Sequence, residues 1–146
     1  NGDVVVGIGD FNGDGRPDIV LSPSEGVGIL AWYEAPENPS QADWTEHVIE
    51  AELDHAHGIA IGDLDKDGLL DIVVAKMHQA SAPQTVAVYY NVDNGRAWER
   101  QVVSESGSHN ISLVDIGNTG RLDIYGANWN NKATTGGAIE LWLNEE

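Results

Sequence analysis

Cysteine is absent from the 146 residues. That excludes disulfides, thiolate metal sites and cysteine nucleophiles, and leaves the redox compartment open. Basic residues are scarce: 7 Lys and Arg stand against 24 Asp and Glu, a formal net charge of −17. Nucleic acid and anionic membranes both bind through clustered Lys and Arg, so neither is expected as a partner. No apolar run approaches the ~20 residues that a membrane-spanning helix needs, so membrane insertion is not expected. The chain opens on Asn1-Gly2-Asp3 rather than on a basic-then-apolar leader. A sustained 3.6-residue hydrophobic period is missing too, which argues against helices. Glycine and aspartate are plentiful, at 17 and 13 residues. With 41% hydrophobic and 21% charged residues the chain should bury a core, and its length suits a single unit spanning 1–146.

Self-similarity organises the rest. Asp10-Phe11-Asn12-Gly13-Asp14-Gly15-Arg16-Pro17-Asp18-Ile19-Val20 returns as Asp63-Leu64-Asp65-Lys66-Asp67-Gly68-Leu69-Leu70-Asp71-Ile72-Val73. A worn third copy runs from Asp115 to Tyr125. The copies start 53 and 52 residues apart. Trp32-Tyr33-Glu34 matches Tyr89-Tyr90-Asn91 and Trp142-Leu143-Asn144, and His57 matches His109. Each period holds about four short β-branched or aromatic runs between Gly/Asp/Asn/Pro loops. In the second they are 58–64, 71–75, 85–91 and 98–104. Four strands per ~50 residues point to an all-β fold of β-propeller blades, each a four-stranded antiparallel sheet. The blades are expected at about 1–50, 51–104 and 105–146, the third lacking its outer strand. Three blades do not close a ring. The chain therefore reads as part or half of a closed propeller that pairs with further blades, in a homo-oligomer or in a longer chain.

The pattern D-x-[DN]-x-D-G-x-x-D suits Ca²⁺, which takes ~6–8 oxygens at ~2.3–2.6 Å. Acids at positions 1, 3 and 5 aim oxygens into one turn, and Gly at 6 permits the reversal. Position 7 lends its carbonyl, and Asp at 9 closes the cage. The candidate ligands are Asp10, Asn12, Asp14, Asp18 and the Arg16 carbonyl. In the second repeat they are Asp63, Asp65, Asp67, Asp71 and the Leu69 carbonyl. An EF-hand would need Glu where Leu21 and Val74 stand, so that reading fails. Ordinary Asp/Asn/Gly turns are the plain alternative, but four crowded carboxylates repel one another without a cation. The third loop keeps Asp115 and Asp123 but has Gly117 and Thr119 at positions 3 and 5, so it is expected to be a weak or metal-free site.

These loops, with the Asp-Ile-Val that follows, resemble FG-GAP/VCBS repeats, the calcium-binding blades of integrin α-subunit heads and some fungal lectins. The resemblance implies structural calcium and an extracellular or cell-surface setting. It does not imply one activity, because such blades serve adhesion, sugar binding and, in some families, catalysis.

The face opposite the loops gathers other chemistry. His57 lies six residues before Asp63, roughly 20 Å away at ~3.3 Å per residue. His55, His57, His78, His109, Asp54, Lys76, Trp129 and Asn130 are expected to gather there, with Trp129, Asn130, His55, His57, His78 and His109 as the ligand-binding candidates. His57 and His109 are the candidates for metal ligation or proton transfer; alternatively, a repeat-position His packs blades and donates to a carbonyl. Trp129 among Asn128, Asn130 and Asn131 suggests a sugar-stacking platform. Trp32, Trp44, Trp98 and Trp142 read as blade core. No nucleophile triad or paired-carboxylate signature stands out. The expected function is a calcium-stabilised binding scaffold with a carbohydrate or protein ligand. The alternatives are part of a lyase- or dehydratase-type sugar-processing enzyme with a His-lined channel mouth, and a purely architectural self-assembling unit.

Overall fold

The computed structural model describes residues 3–41, 43–128 and 137–145. Among them are eleven strands and no helix. The first sheet holds β1 (Val4–Gly9), β2 (Asp18–Pro23), β3 (Val27–Glu34) and β4 (Thr45–Asp54). The second holds β5 (Gly58–Gly62), β6 (Asp71–Ala75), β7 (Val86–Asn91) and β8 (Trp98–Ser104). The third holds β9 (Asn110–Val114), β10 (Asp123–Ala127) and β11 (Ile139–Trp142). Within each sheet chain neighbours pair antiparallel, as an up-and-down meander.

The inner strands β1, β5 and β9 lie side by side, and two cores fill the gaps between sheets. The first brings Val20, Leu30 and Trp32 of one sheet against Ile72, Val74 and Tyr89 of the next. The second brings Val73, Val86 and Val88 against Ile124, with Ile111, Leu113 and Trp142 at its margin. The sheets are thus successive blades of an open β-propeller, buried on the faces they share.

Glycine permits the close approach at the axis. A Cβ on Gly7 would sit 2.4 Å from Ile61 Cδ1, and one on Gly62 would sit 2.6 Å from Leu122 Cδ1. At both junctions a bulky residue of one blade thus enters a side-chain-free slot on the blade before it.

Two expectations shift by a few residues. Ile19, Ile72 and Ile124 hold equivalent places and pair with Tyr33, Tyr89 and Trp142. Trp32 therefore corresponds to Val88, not to Tyr89, and the expected match of Trp32-Tyr33-Glu34 with Tyr89-Tyr90-Asn91 is one residue out. A strand alternates faces with period two, so that slip would turn Trp32 away from the first core. Trp32 instead faces the second blade and is 1% exposed. The outer strand β4 also continues past Glu50 to Asp54. Irregular pairing with β3 around Leu30 absorbs the extra length.

Candidate metal centre and the opposite face

The three acidic loops join the first and second strands of each blade at one end of the stack. Their backbone follows a common script. Position 4 is left-handed in each, at Gly13 (φ 76°), Lys66 (65°) and Asn118 (51°). Position 6 is left-handed too, at Gly15 (84°), Gly68 (92°) and Gly120 (78°). At Gly15 and Gly68 an added Cβ would touch nothing within 4 Å. Glycine is there for its backbone angle, not for space.

In the first loop Asp10 accepts N–H bonds from Gly13 at 2.7 Å and from Gly15 at 2.8 Å. Asn12 Oδ1 accepts from Asp14 N–H, and Asp14 Oδ1 accepts from Arg16 N–H. The Arg16 guanidinium pairs with Asp14 Oδ2, supplying internally some of the positive charge that these acids call for.

The second loop repeats the Asx turns, with Asp65 accepting from Asp67 N–H at 3.1 Å and Asp67 from Leu69 N–H at 2.8 Å. It has no such arginine, because Leu69 stands where Arg16 did. Carboxylate oxygens of Asp63, Asp65 and Asp71 lie within 4.8 Å of one another. Oxygens that close together are within common reach of one cation with metal–oxygen distances of ~2.3–2.6 Å. Asp63 Oδ1 is buried with no hydrogen-bond partner. A hard divalent cation fits this donor set: it is all oxygen, strongly anionic and short of one partner.

The third loop replaces the position-5 acid with Thr119. Its hydroxyl accepts from Arg121 N–H at 3.2 Å, and its N–H donates to Asp115 at 2.8 Å. The turn is kept while its charge is reduced.

The acid at position 9 has a second duty that the motif did not reveal. Asp18 accepts from the N–H groups of Phe11 at 3.0 Å and Ala35 at 2.9 Å. Asp71 accepts from Leu64 at 2.8 Å and Asn91 at 3.0 Å, and Asp123 from Ile116 at 3.0 Å and Asn144 at 2.9 Å. Each buried carboxylate ties its own loop to the end of its blade's third strand. Each oxygen keeps a second lone pair that a cation can use. Burial pushes the Asp71 carboxyl up to about 6 against the pull of these N–H donors, with the charges of Asp65 and Asp67 adding to the rise. Asp18 is raised for the same reasons, burial first.

Asn91 and Asn144 complete the arrangement. Asn91 Nδ2 donates to the Phe11 carbonyl of the preceding blade at 2.8 Å, and Asn144 Nδ2 to the Leu64 carbonyl at 2.7 Å. Sequence reasoning saw both asparagines only as repeat markers. The signal was their shared position at the third-strand end.

On the opposite face the histidines fall into two groups. The rings of His57 and His109 stack at 4.3 Å, tilted by 35°, and His57 Nδ1 lies 3.2 Å from the His109 carbonyl. Burial lowers the His109 pKa, and the neighbouring His57 and His78 lower it further. His55 stands with Asp54 instead, its Nδ1 3.9 Å from Asp54 Oδ2, at a left-handed φ of 47°. Its N–H donates to the Gly26 carbonyl and its own carbonyl accepts from Met77 N–H, so it knits two blades together. Lys76 Nζ lies 2.5 Å from Asp54 Oδ1, and Ser81 N–H donates to Oδ2 at 2.6 Å. Burial would raise Asp54, but Lys76 and Ser81 outweigh it and hold the carboxyl at about 2. Trp129 and Asn130 lie outside the described residues. Asn128 turns its amide towards the Gly107 carbonyl and the Glu140 carboxylate.

A cleft that sequence reasoning missed opens beside the first loop, between the first two blades. It has a volume of about 280 Å³ and is lined by Asn12, Asp14, Glu34, His47, Asn94 and Arg96, with Trp32 as its floor. His47 stacks on Trp32 at 4.1 Å with the rings nearly parallel, and its Nε2 lies 3.0 Å from Glu34 Oε2.

Stacked blades with acid-rich inner hairpins define a β-propeller-like module of the binding or scaffold kind. Residues 10–74 match the family model described as FG-GAP-like repeat, a stretch that takes in the first two loops whole. Among curated proteins, none matches the chain.

Proposed function

We propose that this chain is a calcium-stabilised segment of an extracellular β-propeller that serves as a binding scaffold, with carbohydrate as its ligand class. One observation carries the calcium reading: the converging oxygens of Asp63, Asp65 and Asp71 beside the unpartnered Asp63 Oδ1. Bound Ca²⁺ would be held by Asp63, Asp65, Asp67, Asp71 and the Leu69 carbonyl, with Asp10, Asn12, Asp14, Asp18 and the Arg16 carbonyl as a second set. Its chemistry there is charge neutralisation. Isothermal calorimetry tests it. Saturable calcium binding that Asp65→Ala weakens supports the reading, and no heat of binding refutes it.

The carbohydrate reading rests on the cleft beside the first loop, close to the ~300 Å³ lower size of ligand pockets. Carboxylate, amide, imidazole and guanidinium groups are a set suited to multiple hydroxyls. The sequence adds Trp129 with its neighbouring amides. A glycan array with Glu34→Ala and Trp129→Ala variants separates the two places: loss on the first assigns the cleft, and loss on the second assigns the opposite face. His57 and His109 face each other and a backbone carbonyl, an arrangement that supports packing more than catalysis.

A further inference from the structure

The first two acidic loops share their turns but not their charge balance. In the first, both oxygens of Asp10 are taken: Oδ1 accepts from the N–H groups of Gly13 and Asp14, and Oδ2 from Gly15 N–H at 2.8 Å. In the second, Asp63 Oδ2 accepts from Gly68 N–H at 3.1 Å, while Oδ1 is buried with no partner. Among the described residues, Asp63, Asp65 and Asp71 are the acids whose oxygens gather within 4.8 Å of one another, and no such group forms in the first loop.

The cations are placed just as unevenly. Arg16 pairs with Asp14 Oδ2, and its Nε donates to the Ala35 carbonyl at 2.9 Å. Ala35 is 1% exposed and its own N–H donates to Asp18, so the arginine is tethered where the loop meets the end of β3. Asp14 Oδ2 also accepts from the Asn12 amide at 3.0 Å. Two of the first loop's candidate ligands, Asn12 and Asp14, are thus bonded to each other, and one of them to a cation that the chain itself supplies. In the second loop Leu69 replaces the arginine and Asp65 replaces Asn12. Its one basic residue, Lys66, reaches away from its own acids. Lys66 Nζ lies 3.3 Å from where a Cβ on Gly120 of the third loop would stand, and none of the ion pairs among the described residues includes it.

We infer that the two loops are unequal calcium sites: the second is the tight one, and Arg16 is a built-in counter-ion that keeps the first weak. This rests on the calcium reading above. A cation entering the first loop must displace the guanidinium from Asp14 and then lie beside it, because the Ala35 carbonyl holds Arg16 close. A unit charge ~6 Å from a divalent ion in water-like surroundings changes affinity by about tenfold. The second loop offers four carboxylates, an orphaned oxygen and no internal competitor. The consequence is graded occupancy. Asn12 and Asp14 also line the cleft beside the first loop, so the cleft changes its charge only at the higher calcium concentration.

Calcium titration of the whole chain by isothermal calorimetry tests the inference, with circular dichroism to confirm that each variant keeps its sheet spectrum. The native chain is expected to show one tight site and one weaker by about tenfold or more. Asp65→Ala removes the tight site alone, and Asp14→Ala the weak one alone. Arg16→Leu gives the first loop the second loop's residue and raises the weak site's affinity by about tenfold. Leu69→Arg makes the reciprocal change in the second loop and decides the matter should Arg16→Leu fail to fold. Two native sites of equal affinity would overturn the inference and leave the calcium reading standing. So would a tight site lost with Asp14→Ala, or charge-swapped variants whose affinities match the native ones. A chain that binds no calcium at all refutes the calcium reading itself, and the inference with it.

Discussion

Asp71 and Asp65 sit six residues apart in one loop, yet their substitution should read out differently. Asp71 is 0% exposed and satisfies two buried N–H groups. Removing it strands both, at ~1–3 kcal/mol each. Asp71→Ala is therefore expected to lower stability by roughly 2–5 kcal/mol in urea unfolding even with chelator present. Asp65 is exposed, so Asp65→Ala should change chelated stability little and abolish most of the gain from added calcium. The raised Asp71 carboxyl sets a pH dependence in the metal-free protein. The folded state holds this proton more tightly than the unfolded chain does, with about 6 against an ordinary 3.8. The stability it contributes is full below 3.8 and is lost as pH rises through 6. Calorimetry in chelator should thus show this loop's contribution falling between pH 4 and pH 7, and calcium, which favours the carboxylate, should flatten that fall.

At the scale of strands and loops, most of the plan could be read in advance because its causes are local. Alternating β-branched residues and Asp/Gly turns announce themselves within ten residues, and the strands of the second blade begin and end almost where the sequence placed them. The register of β3 was less legible. Trp32-Tyr33 and Tyr89-Tyr90 look alike as letters, but only the β2 pairing shows which aromatic faces which core. The asparagines' shared position was legible but their partners were not, because each acceptor lies 80 residues from its donor. Glycine at the blade junction yields a direct test. Gly62→Val would drive methyl groups into Leu113 and Leu122 and is expected to cost about 1–3 kcal/mol, measured by thermal or urea unfolding. Gly68→Ala meets no atom, so its expected cost of about 1–2 kcal/mol comes from the left-handed backbone alone.

For the molecule as a whole, charge is the dominant variable. With a net charge of −17 the folded chain repels itself, most sharply where four acids share the second loop. Calcium at a hundredfold excess over its dissociation constant should stabilise the fold by ~2.7 kcal/mol. For a domain of this size that is a rise in Tm of roughly 5–10 °C, readable by circular dichroism. Monovalent salt screens the same repulsion less specifically and should give a smaller rise. That the sheets stack as blades was legible from the period. How the sheets are keyed at their shared faces was not, since it rests on which residue opposes which across a gap.

The long-range asparagine ties also bear on how the protein is made. A ribosome adds about 5–20 residues each second, so the Phe11 carbonyl emerges several seconds before Asn91 exists to meet it. The first and second loops are thus each finished by the synthesis of the blade that follows, so these ties form in one direction along the nascent chain, each newly completed sheet locking the one before.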